Sequence, residues 1–375
     1  MPRQCPGPPG RGRPADRAAR RARTRRMSRP ERDRVTVVGG GLFGVTAARA
    51  LARAGWSVTL VEQAPDLLDG ASGTNQYRLH KGFHYPRSPE TAAACLAAER
   101  DFRRLFGDAI IDHHAHYYAV ANSRTRLTAA EYLRAVTAMG LTWRHDFAPV
   151  LRPDAVQSCV RVAEGAIDLP RLRHRCWALL RDSGVRTRTG THFEWSSVGG
   201  NERVVLAGYS ANNTLLAEAG FVGRPYRYQL AELLCVQLPE AYQGVSCLVM
   251  DGNFPSLDPC GRSGHHVIGH VTEMHHTEET AVVCSLSNTD AHRRSTAAGT
   301  LRRLVETGRE FLIGFDQARL VRSRLVVRTT LPGVARTDTR PTLVERHDSQ
   351  VFSIFSGKLT TCVTAADELV ELMSR

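Results

Sequence analysis

The clearest hydrophobic pattern is a strand, a turn, a helix and a second strand in close succession. Val35–Val38 is a short β-branched run that predicts a buried strand. From Val45 to Ala54 the apolar residues Val45, Ala48, Leu51 and Ala52 recur near helical spacing, and Gly55 suits the position just past a helix end. Val58–Val61 predicts the second strand, which ends on Glu62. Later in the chain Tyr117–Val120 reads as a strand, and a helix-like run after Arg171 ends in Gly184. Val267–Met274 reads as a strand and turn, and Leu359–Met373 as an amphipathic C-terminal helix.

Between the first strand and helix lies Gly39-Gly40-Gly41-Leu42-Phe43-Gly44, and each part has a physical job. Gly39 permits a tight turn, Gly41 lets a pyrophosphate approach the backbone, and Gly44 lets helix and strand pack closely. Leu42 and Phe43 lie in this turn, just before the helix, whose N-terminal N–H groups and positive potential suit phosphate. Glu62, with Gln63 beside it, is placed to accept hydrogen bonds from ribose hydroxyls. The pattern predicts dinucleotide binding and leaves NAD and FAD both open.

The next segment carries a resemblance. Gly70 to Ser88, containing Ser72, Thr74, Arg78, Leu79, His80, Lys81, Gly82 and His84, resembles the stretch after the second strand in the D-amino-acid-oxidase-like FAD superfamily. That superfamily includes glycine and sarcosine oxidases and glycerol-3-phosphate dehydrogenase. Glu164–Arg171 is similar to its G-x-[ILV]-D-P element. Val204–Ser210, with Ala207 and Gly208, is similar to the strand and turn that return to the cofactor. Ser356-Gly357-Lys358-Leu359-Thr360 is similar to its C-terminal GGKLTT element, beside the flavin ring. The resemblance implies FAD as cofactor and an α/β fold. It implies a Rossmann-like FAD-binding domain built from 31–112, 151–222 and 325–375. A second, mixed or antiparallel-sheet substrate domain takes 113–150 and 223–324. By position Arg328 resembles an Arg that faces the substrate, and a guanidinium fork suits a carboxylate or phosphate. A solvated surface Arg is the other reading.

Composition changes this picture little. The formal charge of +13 is concentrated in residues 1–26, where nine Arg and one Asp give +8. That tail, taken to residue 30, is rich in Pro and Gly with almost nothing apolar, so it reads as a disordered basic segment, with Met27 a candidate start. No apolar run has the length of a membrane span. Nine Cys at scattered spacings, with no CxxC, argue for reduced thiols and a cytoplasmic protein. His265, His266, His270, His275 and His276 invite a metal reading, but they lack an obvious ligand pattern, and no metal is expected. His113, His114 and His116 suit a pocket or a plain surface.

Only two of the 50 basic residues are Lys, namely Lys81 and Lys358, and both fall in segments that the resemblance places at the flavin. Five residues are candidates for the chemistry. Lys358 and Arg328 would supply positive charge, Lys81 a charge near the flavin N5, and His80 and His84 a base. The expected reaction removes hydride from a C–H next to nitrogen, in an amine or amino acid. A hydroxyl substrate, which needs a base, is the alternative. A flavin-binding protein without turnover and a nicotinamide-dependent reductase are further rivals. The expected partner is a small-molecule substrate, with no nucleic acid; oligomeric state is left open.

Overall fold

A computed structural model describes residues 33–286, 297–334 and 337–375; the basic tail lies outside them. The strand–turn–helix–strand pattern forms Arg34–Val38, the helix Leu42–Arg53 and Ser57–Val61. These two strands pair in parallel and sit centrally in a six-stranded sheet. Its order is Thr342–Arg346, Val351–Ser356, Arg203–Leu206, Arg34–Val38, Ser57–Val61, Arg186–Arg188. All neighbours are parallel except the first pair. Such strands are buried on both faces, which explains their continuous apolar runs. The helix Leu42–Arg53 covers one face together with the C-terminal helix Cys362–Ser374, and the Thr46 hydroxyl donates to the Cys362 carbonyl at 3.0 Å.

The region from Tyr226 onward builds most of a nine-stranded sheet. Its long spine, Tyr226–Gln237, pairs antiparallel with Arg319–Thr330 on one side. On the other side it meets His275–Ala281 and then His266–His270. The sheet continues through Pro255–Pro259, Val245–Met250, Ala115–Ala121, Val156–Val162 and Trp143–His145. Boundaries at 151 and 325 put Val156–Val162 and Leu325–Thr330 with the cofactor part. Their hydrogen bonds run instead to Ala115–Ala121 and Tyr226–Gln237, in this second sheet. A small three-stranded sheet, Arg78–Leu79, Gly165–Ile167 and Ile110–Ile111, joins the two parts.

Local capping fixes the connecting helices. Ser88 accepts from the Thr91 N–H before Pro89–Phe106, and Asp168 accepts from the Arg171 N–H before Leu169–Asp182. Thr128 and Glu131 form a reciprocal capping box on Ala129–Ala138. No helix among the described residues is long and apolar enough to cross a membrane.

Candidate functional site

One cavity of about 1230 Å³ lies between the two large sheets. Its lining includes Val38, Val61, Ala207 and Ser356, at or just past the carboxyl ends of four strands of the six-stranded sheet. Ligands of open α/β sheets bind at that edge. The second sheet contributes Gln229, Val249, Ser256, His275 and Arg328 to the same cavity.

The glycine turn divides into packing and open positions. A Cβ on Gly44 would stand 1.8 Å from the Gly39 carbonyl oxygen, and one on Gly39, where φ is +112°, would stand 2.6 Å from the Ala207 carbonyl. Both glycines are therefore required by the protein itself. A Cβ on Gly41 would meet only the Ser72 hydroxyl, at 3.2 Å, so its open side belongs to the cavity. The first helical bond runs from the Val45 N–H to the Gly41 carbonyl, so the N–H groups before Val45 have no acceptor within the helix. Ser72 accepts from the Leu42 N–H at 3.0 Å. Glu62 accepts from the backbone N–H groups of Gly40 and Ala64 and lines the cavity with Gln63. This cradle fits the pyrophosphate and ribose of a dinucleotide.

A second stretch of wall comes from Ser356–Thr360 and the segment His80–Tyr85. Ser356 holds the loop by hydrogen bonds to Thr342, Thr361 and the Lys358 N–H. The Asn212 amide ties the Gly208 N–H, at 2.7 Å, to the Ile354 carbonyl, at 2.9 Å. Lys358 extends over Tyr85, its Nζ 4.1 Å from the ring centre and in contact with the hydroxyl. Burial lowers its ammonium to about 7. His80 and His84 pack beside Tyr85. Burial, and then the Lys358 charge, push both imidazoles well below their ordinary range. Their Nδ1 atoms, and the Thr360 hydroxyl, are buried without a hydrogen-bond partner, so the wall keeps polar capacity for a ligand.

The third stretch is cationic. Arg328 donates to His275 Nε2 at 3.0 Å. Burial and Arg328 push His275 down to about 4, so it accepts as a neutral ring. Arg340 lies against Gly357, and its closest carboxylate is Asp338 at 3.8 Å. No carboxylate among the described residues is within ion-pair distance of Arg328 or Lys358. By contrast Arg87 is paired with Asp251 and Asp338, and Arg227 with Glu278. Burial lowers the Arg328 and Arg340 pKa values, and for Arg328 the neighbouring Arg340 adds to this.

The cavity lining brings together Gly39, Gly41, Phe43, Glu62, Gln63, Ser72, Thr74, Arg78, His80, His84, Ala207, Gly208, Arg328 and Ser356–Thr360. Leu42, Gly44, Leu79, Lys81 and Gly82 stand outside it. Leu42 and Leu79 are core residues, and a Cβ on Gly82 would collide with Ala92. The Lys81 ammonium pairs with Glu99 at 3.2 Å, drawn there by the helix Pro89–Phe106. Arg78 touches the wall, but its guanidinium is committed to Asp258, Glu164 and Ser246 and lies over Tyr118. Burial alone would lower its pKa; Asp258, Tyr118 and Glu164 raise it instead. The histidines of the 265–276 region have separate partners: the Tyr242 carbonyl for His266, Arg328 for His275 and Glu232 for His276. Arg340, Tyr85 and Tyr209 were not singled out in the sequence. Tyr209 stacks on Phe355 and bonds the Thr329 backbone, which joins the two sheets beside Arg328.

A family model described as FAD dependent oxidoreductase matches residues 34–230. The FAD-dependent monooxygenase FPY4 of Fusarium mangiferae is 24% identical over 349 residues, 90% of each chain. The FAD-dependent monooxygenase kojA of Aspergillus flavus is 42% identical over 86 residues, 23% of this chain and 20% of that protein. The chain thus matches about a fifth of that relative's length. The L-alpha-glycerophosphate oxidase from Mycoplasma pneumoniae, solved with FAD bound, has a TM-score of 0.70 at 16% identity, covering 92% of this chain and 95% of that one. Glycine oxidase from Geobacillus kaustophilus has a TM-score of 0.68 at 17% identity, with the same coverage. At these identities the two structures establish a shared fold.

Proposed function

The chain belongs to the FAD dependent oxidoreductase family, and from that premise we propose that it oxidises a small anionic amine, such as an amino acid, at the carbon bearing nitrogen. The chemistry that FAD supplies when bound is acceptance of a hydride at N5. Everything else falls to the chain. The Gly39–Gly44 turn and the helix Leu42–Arg53 would hold the pyrophosphate, Glu62 the adenosine ribose, and Ser356–Thr360 the ring end.

The observation that carries the substrate reading is Arg328, a cavity-lining guanidinium whose bonded partner is a neutral imidazole. Such a group is ready to bind a carboxylate and hold the adjacent C–H in one orientation. Arg340 and Lys358 add positive potential in the same cavity. Among the solved structures that share the fold, glycine oxidase and L-amino acid deaminase are named for amino-acid substrates, whereas the L-alpha-glycerophosphate oxidase is named for a glycerol phosphate.

A hydroxyl substrate is the second reading, favoured by one observation. His80 and His84 line the cavity, burial favours their neutral form and weakens them as bases, and each keeps an Nδ1 without a partner, so either ring is placed to hydrogen-bond a substrate hydroxyl. The cysteines among the described residues are free thiols, Cys235 and Cys260 included although their sulfurs stand 3.8 Å apart, which accords with a reducing, cytoplasmic setting.

Anaerobic mixing of the FAD-loaded protein with amines, amino acids, sugars and glycerol phosphate distinguishes the readings. Loss of the flavin absorbance with amino acids supports the first. Loss with hydroxyl compounds alone replaces it with the second.

A further inference from the structure

Lys358 has a property that hydride transfer does not use. Its Nζ lines the cavity, has Tyr85 as its polar contact and faces no carboxylate among the described residues. Two guanidinium groups line the same space, Arg328 with no carboxylate at ion-pair distance among the described residues and Arg340 with only the long 3.8 Å contact to Asp338, and the Arg340 stem packs on Gly357, next to Lys358 in the chain. A desolvated amine beside anion-binding groups is a nucleophile for carbonyl carbon. We infer that Lys358 is a carbonyl-reactive amine that forms an imine with small 2-oxo acids, whose carboxylate Arg328 and Arg340 hold.

The chemistry balances without a further reagent. The Nζ lone pair attacks the carbonyl carbon, forming the C–N bond while the carbonyl π pair moves to oxygen, which takes a proton. The nitrogen loses its two protons, and the oxygen leaves as water. The Tyr85 hydroxyl, in contact with Nζ, is placed to pass these protons. The uncharged amine is needed, and burial makes it abundant near pH 7 by lowering the group to about 7. The inference rests on the cavity wall and stands under either reading of the oxidised substrate.

With two lysines in the chain, the test has an internal reference: Lys81 is paired with Glu99 outside the cavity. The purified FAD-bound protein is incubated with glyoxylate and cyanoborohydride, which reduces an imine to a stable secondary amine, and peptides are mapped by mass. We expect Lys358 to be labelled about 10-fold faster than Lys81 at pH 7, with the rate rising through pH 7. In Arg340→Gln, glyoxylate labelling should fall while labelling by uncharged acetaldehyde persists, which also shows that the variant is folded. Equal labelling of the two lysines, or none at Lys358, overturns the inference. Unchanged glyoxylate labelling in Arg340→Gln overturns the role given to that guanidinium. Neither result touches flavin reduction by amines, so this inference and the proposed function fail separately.

Discussion

Lys358 and Tyr85 form a cation–ring pair, with Nζ 4.1 Å from the ring centre. The contact offsets part of the cost of desolvating an ammonium that no carboxylate neutralises. The remaining cost is expressed as pH dependence. Unfolded, the lysine keeps its proton up to about 10.5; folded, it releases it near 7. Between those values the unfolded chain binds more protons, so stability rises with pH.

Lys358→Met lacks this titration. Denaturant unfolding at pH 6 and pH 9.5 should show the parent gaining stability, relative to the variant, at the higher pH. A constant difference would mean that the ammonium is fully solvated.

Two glycines in one turn should behave differently. Gly41→Val meets little but the Ser72 hydroxyl in the protein, so it should fold yet retain less than about a tenth of the parent's FAD, because the added carbons fill the cradle. Gly44→Ala drives a methyl into the Gly39 carbonyl and should lower the melting temperature even with FAD in excess. Flavin released on denaturation and thermal melts check both. A Gly41→Val protein with full FAD content would relocate the pyrophosphate.

Arg328→Met should reduce kcat/KM for a carboxylate-bearing amine by about 10- to 100-fold, the usual worth of a charged hydrogen bond. The same change should leave an uncharged amine nearly unaffected. Equal losses on both would assign Arg328 to packing, or to holding His275 in place.

Arg78→Met leaves Asp258 and Glu164 buried without their cation and should cost about 3–5 kcal/mol in denaturant unfolding. Adding Asp258→Asn and Glu164→Gln should recover part of it. No recovery would mean that the loss comes from the Arg78 stem and its stacking on Tyr118.

The parts legible in the sequence are those whose physics is local. Arg34–Val61 announces itself because strand, turn, helix and strand are consecutive, and Gly39 and Gly44 are required by neighbours within that unit and by Ala207. The cavity-facing loop at Lys358 was legible only by resemblance. The second sheet was expected as a mixed or antiparallel layer, with Tyr117–Val120 and Val267–Met274 read as strands in it, but its order was not legible because it interleaves distant segments: Ala115–Ala121 lies beside Val245–Met250, and Pro255–Pro259 and His275–Ala281 carry too little apolar alternation to read as strands. Arg78 looked like a cofactor contact because its acidic partner Asp258 is 180 residues away. Lys81 was expected near the flavin, as Lys358 was, because both lie in segments that the resemblance places there; nothing local says that Glu99 turns one of them aside.

The buried cluster around Arg78 also orders events in time. Its members, Arg78, Tyr118, Glu164, Ser246 and Asp258, enter the chain over 180 residues of synthesis. While a ribosome is still short of Asp258, Arg78 has Glu164 and Tyr118 but lacks the carboxylate that its Nε and Nη2 bond, so burying it there is costly. Docking of the halves therefore waits at least until Asp258 has been made, and the cavity, which also needs Arg328, Arg340 and Ser356–Thr360, is completed later still.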